Sequence, residues 1–430
     1  MKIKLAILIL ALLLDQHMSM VVKFNEESKD DCETKKRYLI FDAGSTNTRL
    51  YYYRLGMDEN NYDWQVEYST KVGEFTALSS FTPATFTTLG AAIGKILNDA
   101  KEVINPLCIP STPIYLRATA GLRSLDRDLA EKILQKCRNK FSKSVFKNVG
   151  EDSAKMFTGQ EEGIWLWVFM NYVLGNFLAC GPGNKVQGFD LGGGSTQLAT
   201  LKSKINYKEE MVEDVVSINL GCPYQVYSVS YEPAGAQANR KNFFVNNKMT
   251  SECMADGVTD DFKFGDFEAQ FTGTGHGGKG TYEKCLEEAK KYANAVKIAE
   301  VWDKENIPDK LYLIASFYYV TRVAMGIDKG CKSFETEGCS ENEYVITVEE
   351  LNQLARRHCK KLVDDPEIIA NMMFSKYLCI DLVWMEAVLA YGYGLRNEAV
   401  TLHMLSKVNG HSAIWATGFA YGLAKMTDSA

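Results

Sequence analysis

Two segments far apart in the chain share one pattern, and that repeat limits the fold more than any other feature. Tyr38-Leu-Ile-Phe-Asp-Ala-Gly-Ser-Thr-Asn-Thr-Arg-Leu50 and Val186-Gln-Gly-Phe-Asp-Leu-Gly-Gly-Gly-Ser-Thr-Gln-Leu198 each hold a short apolar strand ending in Phe-Asp. Each passes through a glycine-containing turn with Ser-Thr and resumes as a second strand, over residues 50–55 and 198–201. They are too distant to form one hairpin, so they predict equivalent hairpins in two similar domains. An Asp at a strand end projects its carboxylate at the sheet edge. Glycines let the backbone approach a ligand with no Cβ in the way, and successive amide N–H groups in such a turn form an anion-binding hollow. Two turns face to face would hold a polyphosphate from both sides, with Asp42 and Asp190 meeting at one metal. A single glycine-rich turn is no more than an ordinary hairpin; two copies with Asp at the same offset point to a site.

A chain of 430 residues has room for two such domains. A net charge of −6 argues against broad binding to nucleic acid or anionic membranes. Met1-Lys-Ile-Lys precedes an unbroken apolar run over residues 5–14, the layout of a secretory signal peptide assigned to residues 1–20. The run is too short to span a bilayer, which needs about 20 residues. The eleven cysteines all follow it and suit an oxidising compartment. The expected location is therefore outside the cell or in the secretory lumen, without a stable membrane anchor.

Between the two repeats lie two further motifs. Arg117-Ala-Thr-Ala-Gly-Leu-Arg123 follows an extended stretch over residues 113–116 and leads into a helix over 126–141. Thr119 stands where that strand ends. Gly159-Gln-Glu-Glu-Gly-Ile-Trp165 opens a second helix, with Glu161 and Glu162 in its first turn. Acidic residues there complement the helix dipole, so this pair alone carries no chemistry.

The ordered set D-A-G-S-T-x-T-R, A-T-A-G-L-R, G-Q-E-E-G and D-L-G-G-G-S-T-Q resembles the first four signature regions of the apyrase family, the nucleoside triphosphate diphosphohydrolases. Gly221-Cys-Pro-Tyr-Gln-Val-Tyr227, Ala315-Ser-Phe-Tyr-Tyr319, Tyr377-Leu-Cys-Ile-Asp-Leu382 and Trp415-Ala-Thr-Gly418 extend the resemblance over residues 36 to 422. It implies an α/β fold of the actin-like type, two ribonuclease-H-like domains with a nucleotide cleft between them. It further implies hydrolysis of terminal phosphates from nucleoside tri- and diphosphates with Mg²⁺ or Ca²⁺. By matched position, Asp42 and Asp190 hold the metal, largely through water. Ser45, Thr46 and Asn47 form one phosphate loop, and Gly192, Gly193, Gly194 and Ser195 the other. Glu162 matches the general base; Thr119, Ser195 and Gln197 match the groups that position the attacking water. Tyr318 matches an aromatic that sandwiches the base.

This chain departs from the family pattern in places. Asn47 stands where some members carry His, Gly194 where many carry Ala, and Phe374 where some carry Arg. Matching also implies the disulfides Cys253–Cys285 and Cys359–Cys379. Cys331 and Cys339 are near enough in sequence to close a small loop. Cys32, Cys108, Cys137, Cys180 and Cys222 stay unassigned. The glycine-rich run over 273–280 resembles a Walker A loop but ends in Gly280, where a Ser or Thr must hold Mg²⁺, and no strand–helix frame is evident around it. The expected domains are 36–158 with 396–430 returning to it, and 159–395. Exopolyphosphatases share this fold and similar motifs, but typically end the fourth motif in Glu where Gln197 stands. An actin-like kinase or chaperone ATPase, and an idle nucleotide-binding scaffold, are the other readings.

Overall fold

The computed structural model describes residues 29–58, 63–278, 280–302, 307–396 and 400–428. The segment assigned to the signal peptide lies outside them. No helix among the described residues is long and apolar enough to cross a membrane.

The first sheet has the order β3-β2-β1-β4-β5, from β1 (Lys36–Ala43), β2 (Asn47–Asp58), β3 (Asp63–Thr76), β4 (Ile114–Ala118) and β5 (Ala154–Met156). β1 pairs antiparallel with β2 and parallel with β4. Tyr38, Leu39, Ile40 and Phe41 are all buried, because a central strand covered on both faces must be apolar in every position. Helices α1 (Phe86–Lys101) and α2 (Arg127–Phe141) cover one face, and the Asp126 carboxylate caps α2 by accepting from the amides of Asp128 and Leu129.

The second sheet is built from β6 (Gly188–Leu191), β7 (Thr196–Leu201), β8 (Val215–Asn219), β9 (Pro223–Tyr231), β13 (Lys310–Ala315), β14 (Glu343–Thr347) and β15 (Thr401–Leu405), in the order β14-β15-β13-β6-β7-β9-β8. Its segment β9-β7-β6-β13-β15 repeats the first sheet strand for strand. In both, the hairpin pairs antiparallel and the two later strands add in parallel. The molecule is thus two ribonuclease-H-like lobes in an actin-like arrangement. A third sheet of β10 (Thr250–Ala255), β11 (Thr259–Phe264) and β12 (Phe267–Gly275) is inserted in the second lobe.

The lobes are joined by two helices, α3 (Gly159–Val173) and α7 (Trp415–Asp428). α7 returns to the first sheet: Tyr53 Oη is 3.2 Å from Thr417 Oγ1, and Tyr421 and Lys425 both donate to Asp63. The return starts later than residue 396. Thr401–Leu405 hydrogen-bonds between β13 and β14, because the second sheet needs a fifth strand matching β5. Phe419 sits edge-on to Tyr115, Phe157 and Trp165, with ring centroids 5.2–5.7 Å apart, so one apolar core runs through both lobes.

Glycines set the spacing of this joint. A Cβ on Gly418 would lie under 3.0 Å from the backbone oxygen of Trp165, and one on Gly422 equally close to the Trp165 ring. On the opposite side of α3, Gly159 and Gly163 allow contact with Ser230 and Ser228 of β9. The G-Q-E-E-G motif therefore has a packing reason: its two glycines seat α3 on the second sheet.

The chain forms the disulfides Cys253–Cys285, Cys331–Cys339 and Cys359–Cys379, and pairs two sets that the sequence left open, Cys32–Cys108 and Cys180–Cys222. Cys137 is a buried free thiol pushed up to about 12 by burial, hence unreactive. The run resembling a Walker loop does have a strand–helix frame, contrary to expectation: it begins in the last residues of β12 and leads to α5 (Thr281–Ala295). Here α4 is Ala236–Asn246, which precedes it in the chain. The glycines serve another end. Cβ atoms on Gly273 and Gly275 would strike the carbonyls of Ala255 and Glu252, so they let β10 approach β12.

Candidate active site

The two repeated hairpins end in the same turn. Gly44 N donates to Asn47 O and Gly192 N to Ser195 O, both at 3.0 Å, and the register sets Asp42 opposite Arg49 as it sets Asp190 opposite Gln197. The turns meet across the cleft. A Cβ on Gly193 would sit 2.5 Å from Ser45 Oγ and 3.4 Å from Thr46 Cγ2; one on Gly194 would sit 3.6 Å from Ser45 Cβ. The missing Cβ at Gly193 lets the Ser45 hydroxyl come close to the second loop.

Backbone bonding orients the second loop. The carbonyls of Gly192 and Gly193 accept from the first amides of α4, at Ala236, Gln237 and Ala238, over 2.9–3.1 Å. Those carbonyls are thereby turned toward α4. Among the described residues the amides of Ser45, Thr46, Gly193 and Gly194 have no acceptor. They remain available to an anion.

Three carboxylates are buried around these loops. Burial pushes Asp42 up to about 6, although Arg49 and a hydrogen bond from the Trp415 indole favour its charge. Asp190 is held well above the usual carboxylate range by burial and by the neighbouring Glu162 and Asp42, and its Oδ1 has no partner. Glu162 is pushed up to about 7 by burial, with Arg123 pulling the other way. Among the described residues, no group of three His, Cys, Asp or Glu is placed to hold one ion directly. An orphaned carboxylate oxygen beside a second buried carboxylate fits a hydrated divalent cation, which keeps most of its own waters.

Glu162 lies in the first turn of α3, whose start is fixed by a capping box between Thr158 and Glu161. The two acids of G-Q-E-E-G therefore divide: Glu161 caps the helix and Glu162 faces the cleft. Gln197 Nε2 lies 3.4 Å from Glu162 Oε2, 2.7 Å from Ser195 Oγ and 2.8 Å from Ser230 Oγ; Gln197 Oε1 is buried without a partner. Thr119 is tied to the first hairpin by its amide, which donates to Ala43 O at 3.0 Å.

The sequence reading missed Arg123. Its guanidinium links four groups: Glu162 Oε2 at 3.1 Å, Glu232 Oε1 at 2.5 Å, Ser195 Oγ at 3.5 Å and Phe157 O at 2.9 Å. Arg123 closes the A-T-A-G-L-R motif, which was the available signal; Glu232 carried none. Tyr318 lies on the second lobe. It is buried, and its hydroxyl donates to Glu341 O, whereas Tyr319 is 44% exposed. Helix α6 (Ser316–Asp328) turns the first ring into the core and the second outward. Phe374 is covered by the Arg240 guanidinium, 4.5 Å from its centroid and paired with Asp381.

A model of the GDA1/CD39 (nucleoside phosphatase) family matches residues 29–429. A protein of Pisum sativum named nucleoside-triphosphatase is 28% identical over 384 residues, covering 83% of this chain and 80% of that protein. An ectonucleoside triphosphate diphosphohydrolase 5 of Gallus gallus is 28% identical over 408 residues, 91% of this chain and 89% of its own. A nucleoside-diphosphatase of Caenorhabditis elegans is 24% identical over 408 residues, 90% and 81%. Among solved structures, a nucleoside triphosphate hydrolase from Neospora caninum superposes with a TM-score of 0.61 at 12% identity, covering 92% of this chain and 93% of that one. A Ppx/GppA protein from Aquifex aeolicus gives 0.52 at 13%, covering 92% and 99%.

Proposed function

The chain belongs to the GDA1/CD39 family of nucleoside phosphatases, and from that premise we propose that it hydrolyses the terminal phosphoric anhydride of nucleoside tri- and diphosphates with a divalent cation. The observation that carries this reading is the meeting of two loops with free amides beside three buried carboxylates.

Ser45, Thr46, Asn47, Gly192, Gly193 and Gly194 bind the phosphates in this account. Asp42 and Asp190 hold Mg²⁺ or Ca²⁺ through its waters, and the cation supplies charge neutralisation at the phosphate oxygens. Ser195, Gln197 and Thr119 orient a water in line with the leaving oxygen. The water oxygen bonds to the terminal phosphorus, its proton passes to Glu162, and the bridging P–O bond breaks to release phosphate. Phosphoryl transfer needs positioning and electrostatics more than covalent chemistry. Five disulfides support an extracellular or luminal setting. Phosphate release from ATP, ADP, UDP, GDP and polyphosphate, with Mg²⁺, Ca²⁺ or EDTA, tests the reading. Release from nucleotides that EDTA abolishes is expected; release from polyphosphate alone would put an exopolyphosphatase in its place.

A base must be ionised to work, so kcat/KM measured with Mg²⁺ is expected to rise with pH as Glu162, held above the ordinary carboxylate range by burial, loses its proton. Arg123 favours the charged form and Glu232 opposes it. Arg123→Met should move the midpoint up and Glu232→Gln should move it down. A pH–rate profile of the three proteins checks both directions.

The same burial predicts a cost in stability. Asp42 and Glu162 have folded pKa values raised above those of the unfolded chain, so their contribution is fully present below about pH 4. It is lost as pH rises through about 6 and about 7. The metal-free protein is expected to melt at lower temperature at pH 8 than at pH 5. Asp190→Asn, which removes a carboxyl that burial makes costly to ionise, should narrow the difference in melting temperature between pH 5 and pH 8. Millimolar Mg²⁺ should stabilise the wild type more at pH 8 than at pH 5, and Asp190→Asn far less. Thermal denaturation reads all three.

A further inference from the structure

One side of β9 meets the site at three points. Strand side chains alternate, so Ser228, Ser230 and Glu232, two positions apart, lie on the same side. Ser228 Oγ donates to Gln160 O of α3 at 2.8 Å, and Glu232 accepts from Arg123. Between them, Ser230 Oγ accepts from Gln197 Nε2 at 2.8 Å. We propose that Ser230 is a positioning residue for hydrolysis: it holds the Gln197 amide so that Oε1 faces the attacking water. The inference rests on the hydrolytic reading given above. It adds a residue that neither the repeated hairpins nor the G-Q-E-E-G motif contains.

Three observations carry it. The first is register. Gln197 of β7 and Ser230 of β9 are direct cross-strand partners, so the sheet itself sets their contact. Gly159 fixes the other side of Ser230: a Cβ there would fall 2.1 Å from Ser230 Cβ, so the serine packs under the first residue of α3, three positions before Glu162. The second is a count of donors. A side-chain amide nitrogen carries two hydrogens, yet Gln197 Nε2 has three neighbours: Ser195 Oγ at 2.7 Å, Ser230 Oγ at 2.8 Å and Glu162 Oε2 at 3.4 Å. The two serines take the hydrogens, and Glu162 has the longest approach. The third is Gln197 Oε1, which is buried without a partner among the described residues. A buried acceptor left unpaired is costly, and a hydrogen of the attacking water satisfies it. The two ends of the amide are linked. With the nitrogen held on the serine side, Oε1 faces away from it; exchanging the two would set an oxygen against the Glu162 carboxylate, which also only accepts. Without Ser230, one hydrogen is released, the amide turns toward Glu162, and Oε1 leaves the water's line. Ser230 therefore acts on the water only through Gln197.

A double-mutant cycle tests this. Initial rates of phosphate release from ADP with Mg²⁺ are measured for the wild type, Ser230→Ala, Gln197→Ala and the protein carrying both changes. Ser230→Ala should lower kcat about 10-fold with KM changed less than about 2-fold, because the loop amides that hold the phosphates are untouched. Gln197→Ala should lower kcat more, by about 10²-fold. The double variant should match Gln197→Ala within about 2-fold, since Ser230 then has nothing left to hold. Ser230→Cys, whose thiol is a weak acceptor in the same space, should lose nearly as much as the alanine variant, and carries the cycle if the alanine protein does not fold. A further loss of about 10-fold in the double variant would overturn the proposal, because Ser230 would then act by seating α3 and not through Gln197. An unchanged kcat in Ser230→Ala, or a loss expressed only in KM, overturns it as well. If the wild type releases no phosphate, the hydrolytic reading fails and this one with it; an active wild type with additive losses sinks the role of Ser230 alone.

Discussion

Replacing Glu162 by Gln is expected to lower kcat for nucleoside diphosphates by about 10²–10⁴-fold, the range a positioned general base contributes. The substitution keeps the shape of the side chain. An amide oxygen at this position can still accept from Arg123, which now donates to Oε2 at 3.1 Å, so the link between the lobes survives. What disappears is the capacity to take a proton. Phosphate binding should persist, because the loop amides at Ser45, Thr46, Gly193 and Gly194 are untouched. The melting temperature should hold or rise, since one buried charge has been removed. Initial rates of phosphate release, with circular dichroism on the same samples, check the pair of expectations. A loss smaller than 10-fold would assign the proton to another group, and a collapsed fold would show that Glu162 is needed for structure.

The largest expected effect on stability lies at the joint between α3 and α7. Gly418→Ala should destabilise the protein by about 3 kcal/mol or more, because the new methyl meets the main chain of α3, at Trp165 O and at Phe169 N (2.6 Å), and main chain cannot step aside cheaply. Gly422→Ala meets the Trp165 ring, a side chain that can turn, so it should cost less, about 1–3 kcal/mol. The effect on rate should follow the same order. α3 carries Glu162 in its first turn, and a base displaced by about 1 Å can lose about 10²-fold in rate. Denaturant melts of both variants, with kcat measured at low temperature where they stay folded, test the ordering. A Gly418→Ala protein as stable as the wild type would mean that the helices are not packed so closely.

Much of this architecture was legible in the sequence because it is local. Strand, Asp, glycine turn and second strand follow one another within a dozen residues, and the copy at Asp190 repeats them at the same offsets. The start of α3 was visible for the same reason, although the division of labour between Glu161 and Glu162 needed the cap geometry. What local pattern cannot show is what packs against what. Arg123 was in view, but Glu232 meets it across 109 positions of sequence, with no periodicity to announce it. Gly418 and Gly422 look like ordinary breaks in a helix until α3 is laid across them. Tyr318 and Tyr319 are neighbours of one type, and only the direction of α6 decides which is buried. The boundary at residue 396 was set too early because β15 belongs to its sheet through partners at Lys310–Leu313 and Glu343–Thr347, not through its own composition.

Attack of water on the terminal phosphorus between the two loops is the step on which the proposed function turns. A single turnover of ADP in ¹⁸O-labelled water, with Mg²⁺ and enzyme in excess, tests it most directly. One labelled oxygen is expected in the released phosphate and none in AMP; label in AMP, or no phosphate released, would contradict attack by water at the terminal phosphorus.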